Sequence, residues 1–342
     1  MKVMKILNIA LLSGLMLAMS PGFAADDVVN LYSARKEQLI KPLLDKFTDK
    51  TGIKVNLVTG KADALLKRLG TEGRNTPADL LITTDAGRLH RAKHAGVLQP
   101  VNSSVLNATV PKNLRDPDAY WFGLSLRARP IFYVKGKVDP SQLSTYEALS
   151  DKAWESSICV RSSNNIYNQS LVASIIAADG VEKTEEWAKG FVANFAQPPK
   201  GGDRDQILAA AAGICDIAIA NTYYYGGMLT SGDQDQIDAA NKLAIFWPNQ
   251  KGRGTHVNVS GIGMTKAAKN KKAALKLMEF LVSDESQAWY AQVNSEFPVS
   301  PSAKKSELLK SWGEFKADEL SLSVLGEKNA LAVKLMDRVG WK

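Results

Sequence analysis

Three tyrosines stand in a row, Tyr223-Tyr224-Tyr225, after a predicted strand over residues 215–220 and before Gly226-Gly227. They occupy the carboxyl end of that strand, where open α/β sheets bind ligands. Adjacent side chains of a continuing strand point to opposite faces, so two neighbouring phenols can converge only through a turn. Asn221 and Thr222 can start one, and the two glycines permit unusual backbone angles. A second polar segment, Arg161-Ser162-Ser163-Asn164-Asn165-Ile166-Tyr167-Asn168-Gln169, follows a predicted strand over 157–161 and runs into a helix N-terminus, a geometry suited to an anion or oxygen ligand. Tyr167 sits at that helix start. A phenol titrates at about 10 and needs a strongly Lewis-acidic cation to hold it deprotonated. Fe3+ is hard and highly charged enough. Three phenolates would balance its charge and leave room for a small anion, held by arginine or backbone N–H groups. The same spacing also suits tyrosines that merely line a cleft as apolar walls with polar tips.

Other chemistry is sparse. The chain has no G-x-S-x-G, H-E-x-x-H or P-loop motif. His90 and His94 are spaced to share a helix face, yet a zinc site needs a third ligand. Arg88, Arg91 and Lys93 around them would repel a cation, which favours a solvated basic face. Without a nucleophile–base pair or zinc triad, an enzyme is disfavoured.

The elements that must position the tyrosines follow from periodicity. Residues 28–34, 53–59 and 78–84 read as strands, and 38–50, 62–72 and 86–94 as helices, with Thr84-Asp85 offering a cap to the last. A second αβ series begins after Arg127: strands over 130–134, 157–161 and 215–220, and helices over 146–149, 167–178, 183–195 and 204–212. A return strand over 257–264 precedes helices over 267–282, 286–292, 306–316 and 329–338. This alternation predicts doubly wound, mostly parallel sheets in two lobes. The expected division is 25–125 plus 257–300 for one lobe and 126–256 plus 301–342 for the other. Two extended crossings, near 124–130 and 256–262, would serve as a hinge with a cleft between. That is the physical form of a solute-binding receptor.

The chain has 342 residues, enough for about two domains. Residues 1–24 read as a secretory signal peptide: two lysines, an apolar run over 6–19, and small residues before a cleavage point after Ala24. Beyond it no stretch is long and apolar enough to span a membrane. The whole chain carries a net charge of +8, and removing the two signal-peptide lysines leaves +6. Mild basicity without Lys/Arg blocks interleaved with aromatics argues against a nucleic-acid partner and fits an anionic ligand. Export permits a disulfide between the two cysteines, Cys159 and Cys215, which fall in predicted strands; two buried thiols are the alternative.

Taken together, Tyr32-Ser33-Ala34-Arg35, Asn165-Ile166-Tyr167-Asn168-Gln169 and Asn221-Thr222-Tyr223-Tyr224-Tyr225, with the segment 127–133, resemble the periplasmic ferric-ion-binding proteins of bacterial iron-uptake ABC transporters, including their cyanobacterial branch. The likeness spans essentially the whole mature chain. It implies an α/β, two-lobed, transferrin-like type II periplasmic-binding-protein fold. It further implies Fe3+ capture between the lobes and delivery by a monomer to an inner-membrane permease and its ATPase. Matched residue by residue, Tyr167, Tyr223 and Tyr224 correspond to tyrosinate ligands, and Tyr225 to a wall or supporting position. Many members have His, or His-Tyr, just after the first strand; here Lys36 and Glu37 stand there. Protonated lysine cannot replace imidazole. Glu37 is either an oxygen ligand or a surface carboxylate at a helix start, the latter being favoured. The departure points to three tyrosines plus a synergistic anion, carbonate being the expected one, with Arg35 and Arg127 as its guanidinium partners. Arg127 could equally form an interlobe salt bridge. The competing function is a receptor for a small organic or oxyanionic solute such as a polyamine, thiamine or a phosphonate.

Overall fold

The computed structural model describes residues 28–342, so the expected signal peptide lies outside the described residues. Among the described residues, eleven strands form two sheets: β1 (Val28–Ser33), β2 (Lys54–Thr59), β3 (Leu80–Thr84), β4 (Leu98–Gln99), β5 (Phe122–Ala128), β6 (Ile131–Val134), β7 (Ile158–Cys159), β8 (Ile217–Ile219), β9 (Leu243–Phe246), β10 (Val257–Thr265) and β11 (Phe297–Pro298). The larger sheet has the order β11-β5-β10-β3-β1-β2, with β4 on β10; the smaller has the order β7-β8-β6-β9.

The α/β two-sheet architecture is the expected one. The sheets are mixed, however, rather than simply parallel. Strand–helix–strand crossovers make β1 parallel to both β2 and β3. β10 arrives from the other sheet and inserts antiparallel between β3 and β5. In the smaller sheet β6 runs against both β8 and β9, while β7 and β8 are parallel. The antiparallel insertions are thus made by β6 and β10, the strands that begin just after the chain changes sheet, and by the two-residue β11 on the edge.

The chain passes from β5 to β6 through Arg129 and Pro130, and returns into β10 at His256. The two crossings lie side by side: the Arg129 N–H donates to the His256 carbonyl at 3.1 Å. Burial drives His256 down to about pKa 3, with Arg253, Arg129 and Arg127 adding to the effect, so this crossing carries a neutral imidazole at neutral pH.

Helices Ala62–Glu72, Ala86–His94 and Asn329–Arg338 have the bounds their periodicity predicts. Asp85 caps the second by accepting from the Gly87 N–H. Other segments differ, three of them as follows. The helix expected from 267 begins at Lys271, because the Asp79 carboxylate binds the N–H groups of Lys269 and Asn270 and holds them as a loop. The helix expected over 306–316 is only Glu307–Ser311 and stops before Gly313, whose φ is +78°. The turn expected at the tyrosines is the first turn of a helix, Thr222–Leu229. Cys159 and Cys215 are joined in a disulfide that ties the end of β7 to the residue leading into its neighbour β8.

Candidate metal centre

Two helices carry the three tyrosines. Helix Ile166–Asp179 begins where the Asn165 side chain accepts from the Tyr167 N–H at 3.0 Å. Helix Thr222–Leu229 follows β8, and Tyr223 and Tyr224 fall in its first turn. The structure brings the three side chains together. The Tyr223 hydroxyl donates to the Tyr167 hydroxyl at 3.3 Å, and the Tyr223 and Tyr224 ring centroids are 4.4 Å apart. Successive helical residues diverge by about 100°, and Tyr225 points the other way. It is buried, packs at a tilt against Phe132 and Trp312, and donates to the Leu243 carbonyl. Gly226 lets this helix approach Ser295, whose Cβ would lie 2.5 Å from an added Cβ.

The surroundings of Tyr223 and Tyr224 favour their protonated forms. Burial pushes the Tyr223 phenol well up, and its neighbours Tyr167 and Tyr224 push it further, against the pull of Arg127. Tyr224 is raised by burial, then by Tyr167 and Asp203, while its hydrogen bond with Tyr223 and the Arg161 charge oppose the shift. Each phenolate therefore raises the cost of the next, and only a strongly charged cation among them reverses that. Among the described residues no group of three or more His, Cys, Asp or Glu side chains is placed to hold a metal.

Two arginines flank the rings. The Arg127 guanidinium lies 5.8 Å from the Tyr167 centroid and 5.9 Å from that of Tyr223, and donates to Ser260 at 3.1 Å. It is buried and its Nε has no partner. Burial works against its charge, but Tyr223, Tyr167, Glu296 and Asp85 together outweigh it and raise its pKa. Arg161 lies 5.6 Å from the Tyr167 centroid and bonds Asp203 at 3.3 Å.

The residues after β1 are placed differently. Arg35 is only 5% exposed and donates from Nη2 to Glu296 at 2.6 Å and to Ser125 at 2.5 Å. Lys36 and Glu37 are exposed. Glu37 lines a surface depression with Lys41, Leu44, Asp45, Thr48 and Asn56, away from the tyrosines. His90 and His94 lie side by side on their helix, beside Gly326. Arg161, Arg129, Asp203, Asn168 and Asn221 join the site without being among the residues that the sequence marks as ligands or anion partners. Asn168 and Asn221 lie inside the tyrosine motifs, which was the available signal; Asp203 had none.

The sequence matches the description of bacterial extracellular solute-binding proteins over residues 43–317. The chain belongs to this family. It is a binding protein rather than an enzyme. Among the relatives of this solute-binding protein is the "Iron uptake protein A1" of Synechocystis, 52% identical and covering 92% of this chain and 87% of that one. The "Major ferric iron-binding protein" of Neisseria meningitidis is 26% identical, covering 97% of this chain and 98% of its own. A solved Trichodesmium protein, IdiA (FutA), in complex with iron and citrate superposes with a TM-score of 0.90 at 53% identity, covering 92% of this chain and all of that one.

Proposed function

We propose that this solute-binding protein captures Fe3+ through Tyr167, Tyr223 and Tyr224, with a synergistic anion completing the coordination, and hands the ion to an inner-membrane ABC permease and its ATPase. The observation that carries this reading is the convergence of three phenols, from two segments 56 residues apart, with the Tyr223 and Tyr167 hydroxyls in contact and the protons of Tyr223 and Tyr224 held by burial. Such a cluster is unfavourable as three phenolates without a cation. A trivalent hard ion satisfies both its charge and its donor type. The iron-related relatives support the same cargo.

The anion, carbonate in this proposal, lies at Arg127, the guanidinium that faces the phenol rings. Arg35 spends Nη2 on Glu296 and Ser125 while its Nε has no partner, which leaves it as the second guanidinium for the anion. Export to the periplasm by a cleaved signal peptide and action as a monomer belong to the same proposal. So does a division into lobes 25–125 plus 257–300 and 126–256 plus 301–342 that close on the ligand.

The test is a visible-range titration of purified protein with Fe3+, in carbonate-free buffer and again with bicarbonate. The expected result is an iron–phenolate charge-transfer band, stronger and tighter-binding with bicarbonate. A protein that stays colourless with equimolar Fe3+ in both buffers overturns the ferric reading and favours an organic or oxyanionic solute. An identical band and affinity in both buffers removes the anion alone.

A further inference from the structure

The tyrosine-bearing helices share a single buried anchor. Arg129, at the crossing between the two sheets, is 1% exposed, and its guanidinium makes four hydrogen bonds. Nη2 donates to the Asn168 side chain at 2.6 Å and to the Ile219 carbonyl at 3.4 Å. Nη1 donates to Asp203 at 2.8 Å and to the Asn221 side chain at 3.0 Å. Asn168 directly follows Tyr167, and Asn221 is the residue before helix Thr222–Leu229, two before Tyr223.

The partners are themselves pinned. Asn168 donates to the Arg161 and Ser162 carbonyls, closing the loop in front of Tyr167. Asp203 accepts the Asn221 backbone N–H at 2.7 Å. The Asn221 side chain serves Arg129 and makes no cap hydrogen bond to its own helix. The Arg129 backbone is fixed too: its N–H bonds the His256 carbonyl, and its carbonyl accepts the Tyr146 hydroxyl at 2.8 Å. A planar fork of donors can hold two acceptors from different segments at a set separation, which the single point of a lysine ammonium cannot.

We infer that Arg129, with Asp203 as its counter-charge, is a positioning residue that sets the distance between Tyr167 and the Tyr223–Tyr224 pair. The inference rests on the ferric reading of that site. It touches neither metal nor anion. It makes the tyrosine half of the site preformed, because every member of the clamp lies between β5 and helix Thr222–Leu229, on the tyrosine-bearing side of the crossing. Residues that orient ligands in this way change metal affinity by roughly 10–100-fold when replaced.

The experiment compares Arg129→Lys, Asn168→Ala and Asn221→Ala with the unaltered protein, reading Fe3+ affinity, the charge-transfer band per bound iron, and thermal midpoint. Asn221→Ala keeps the Arg129–Asp203 pair and the Asn221 backbone bond, so it reports the clamp if Arg129→Lys does not fold. The expected result is a shifted or weakened band per bound iron and an affinity loss of about tenfold or more, in Arg129→Lys and at least one asparagine variant. A purely structural role predicts a lowered midpoint with the band per bound iron unaltered, and that outcome, in whichever variants fold, overturns the inference. Absence of any band in the unaltered protein instead overturns the ferric reading on which the inference rests.

Discussion

The two walls that the sequence marks as candidate ligand sources are built on opposite plans. On the tyrosine side, three phenols converge and the polar groups behind them are tied together: Arg129 with Asp203, Asn168 and Asn221, and Asn165 on the Tyr167 N–H. On the side that follows β1, Lys36 and Glu37 project into solvent, and the buried Arg35 pairs through Nη2 with Glu296 and Ser125. A preformed donor set needs little reorganisation to receive a cation. A surface carboxylate such as Glu37 would have to be drawn in against its hydration and side-chain entropy. On the proposed reading, the contrast explains how a chain lacking the imidazole after β1 offers a hard-ion site: its proposed oxygen donors come from one half of the molecule.

Single replacements of the tyrosines give the largest effect and break the comparison most directly. Tyr167→Phe, Tyr223→Phe and Tyr224→Phe keep the ring and remove the oxygen, and each is expected to lower Fe3+ affinity by about 100-fold or more, with loss of colour. Glu37→Gln and Lys36→Ala should stay within about twofold of the unaltered protein. Competition titrations measure both sets; a Glu37→Gln loss equal to that of Tyr224→Phe would move the site toward the β1 side. Tyr225→Phe should leave the colour intact and cost about 1 kcal/mol of stability, from its lost bond to the Leu243 carbonyl.

The arginines separate next. Arg127→Ala should abolish the bicarbonate dependence of iron binding, because its guanidinium faces Tyr167 and Tyr223. Arg35→Ala strands a buried Glu296 and should cost roughly 3–5 kcal/mol of unfolding free energy. Removing both Arg35 and Glu296 should restore much of that stability and leave iron affinity near normal. Loss of bicarbonate dependence in the stable double variant would instead place the anion at Arg35.

Acid should weaken iron binding. Burial and mutual repulsion raise the Tyr223 and Tyr224 phenols above their ordinary value, so both carry protons at neutral pH that iron must displace. Affinity therefore rises with pH and falls as pH drops, by up to about tenfold per unit for each tyrosinate formed. Calorimetry in buffers of differing ionisation enthalpy counts the protons released. Fewer than two per Fe3+ would contradict a site built on these phenols.

The disulfide has the smallest expected consequence for binding. It closes a loop with a sequence separation of 56 within the tyrosine half, and the chain-entropy estimate gives at most about 4 kcal/mol of stabilisation. Replacing both cysteines by alanine should lower the denaturation midpoint while leaving the charge-transfer spectrum unchanged, because the clamp around Arg129 does not depend on it.

Local information determined a good deal of this protein. The amphipathic periods of Ala62–Glu72 and Ala86–His94, the Asp85 cap, and the placing of two tyrosine motifs after strands were legible in the sequence, because short-range packing and hydrogen bonding decide them. The resemblance of those motifs to a known family supplied the expected cargo. What lay beyond reach was long-range. Arg35 and Glu296 are 261 residues apart, and Arg129 gathers partners 39, 74 and 92 residues away. Nothing in the neighbourhood of Arg35 in the chain distinguishes a guanidinium free to bind an anion from one paired with a carboxylate. The antiparallel entry of β10 and the helical turn at Tyr223–Tyr224 were hidden for the same reason. Strand order and the docking of Gly226 on Ser295 come from surfaces that meet only once the chain has folded. The sequence by itself determined which oxygens are available, since residue type sets donor chemistry. Only the tertiary structure decided which of them meet, because partnership among buried charges depends on distance in space.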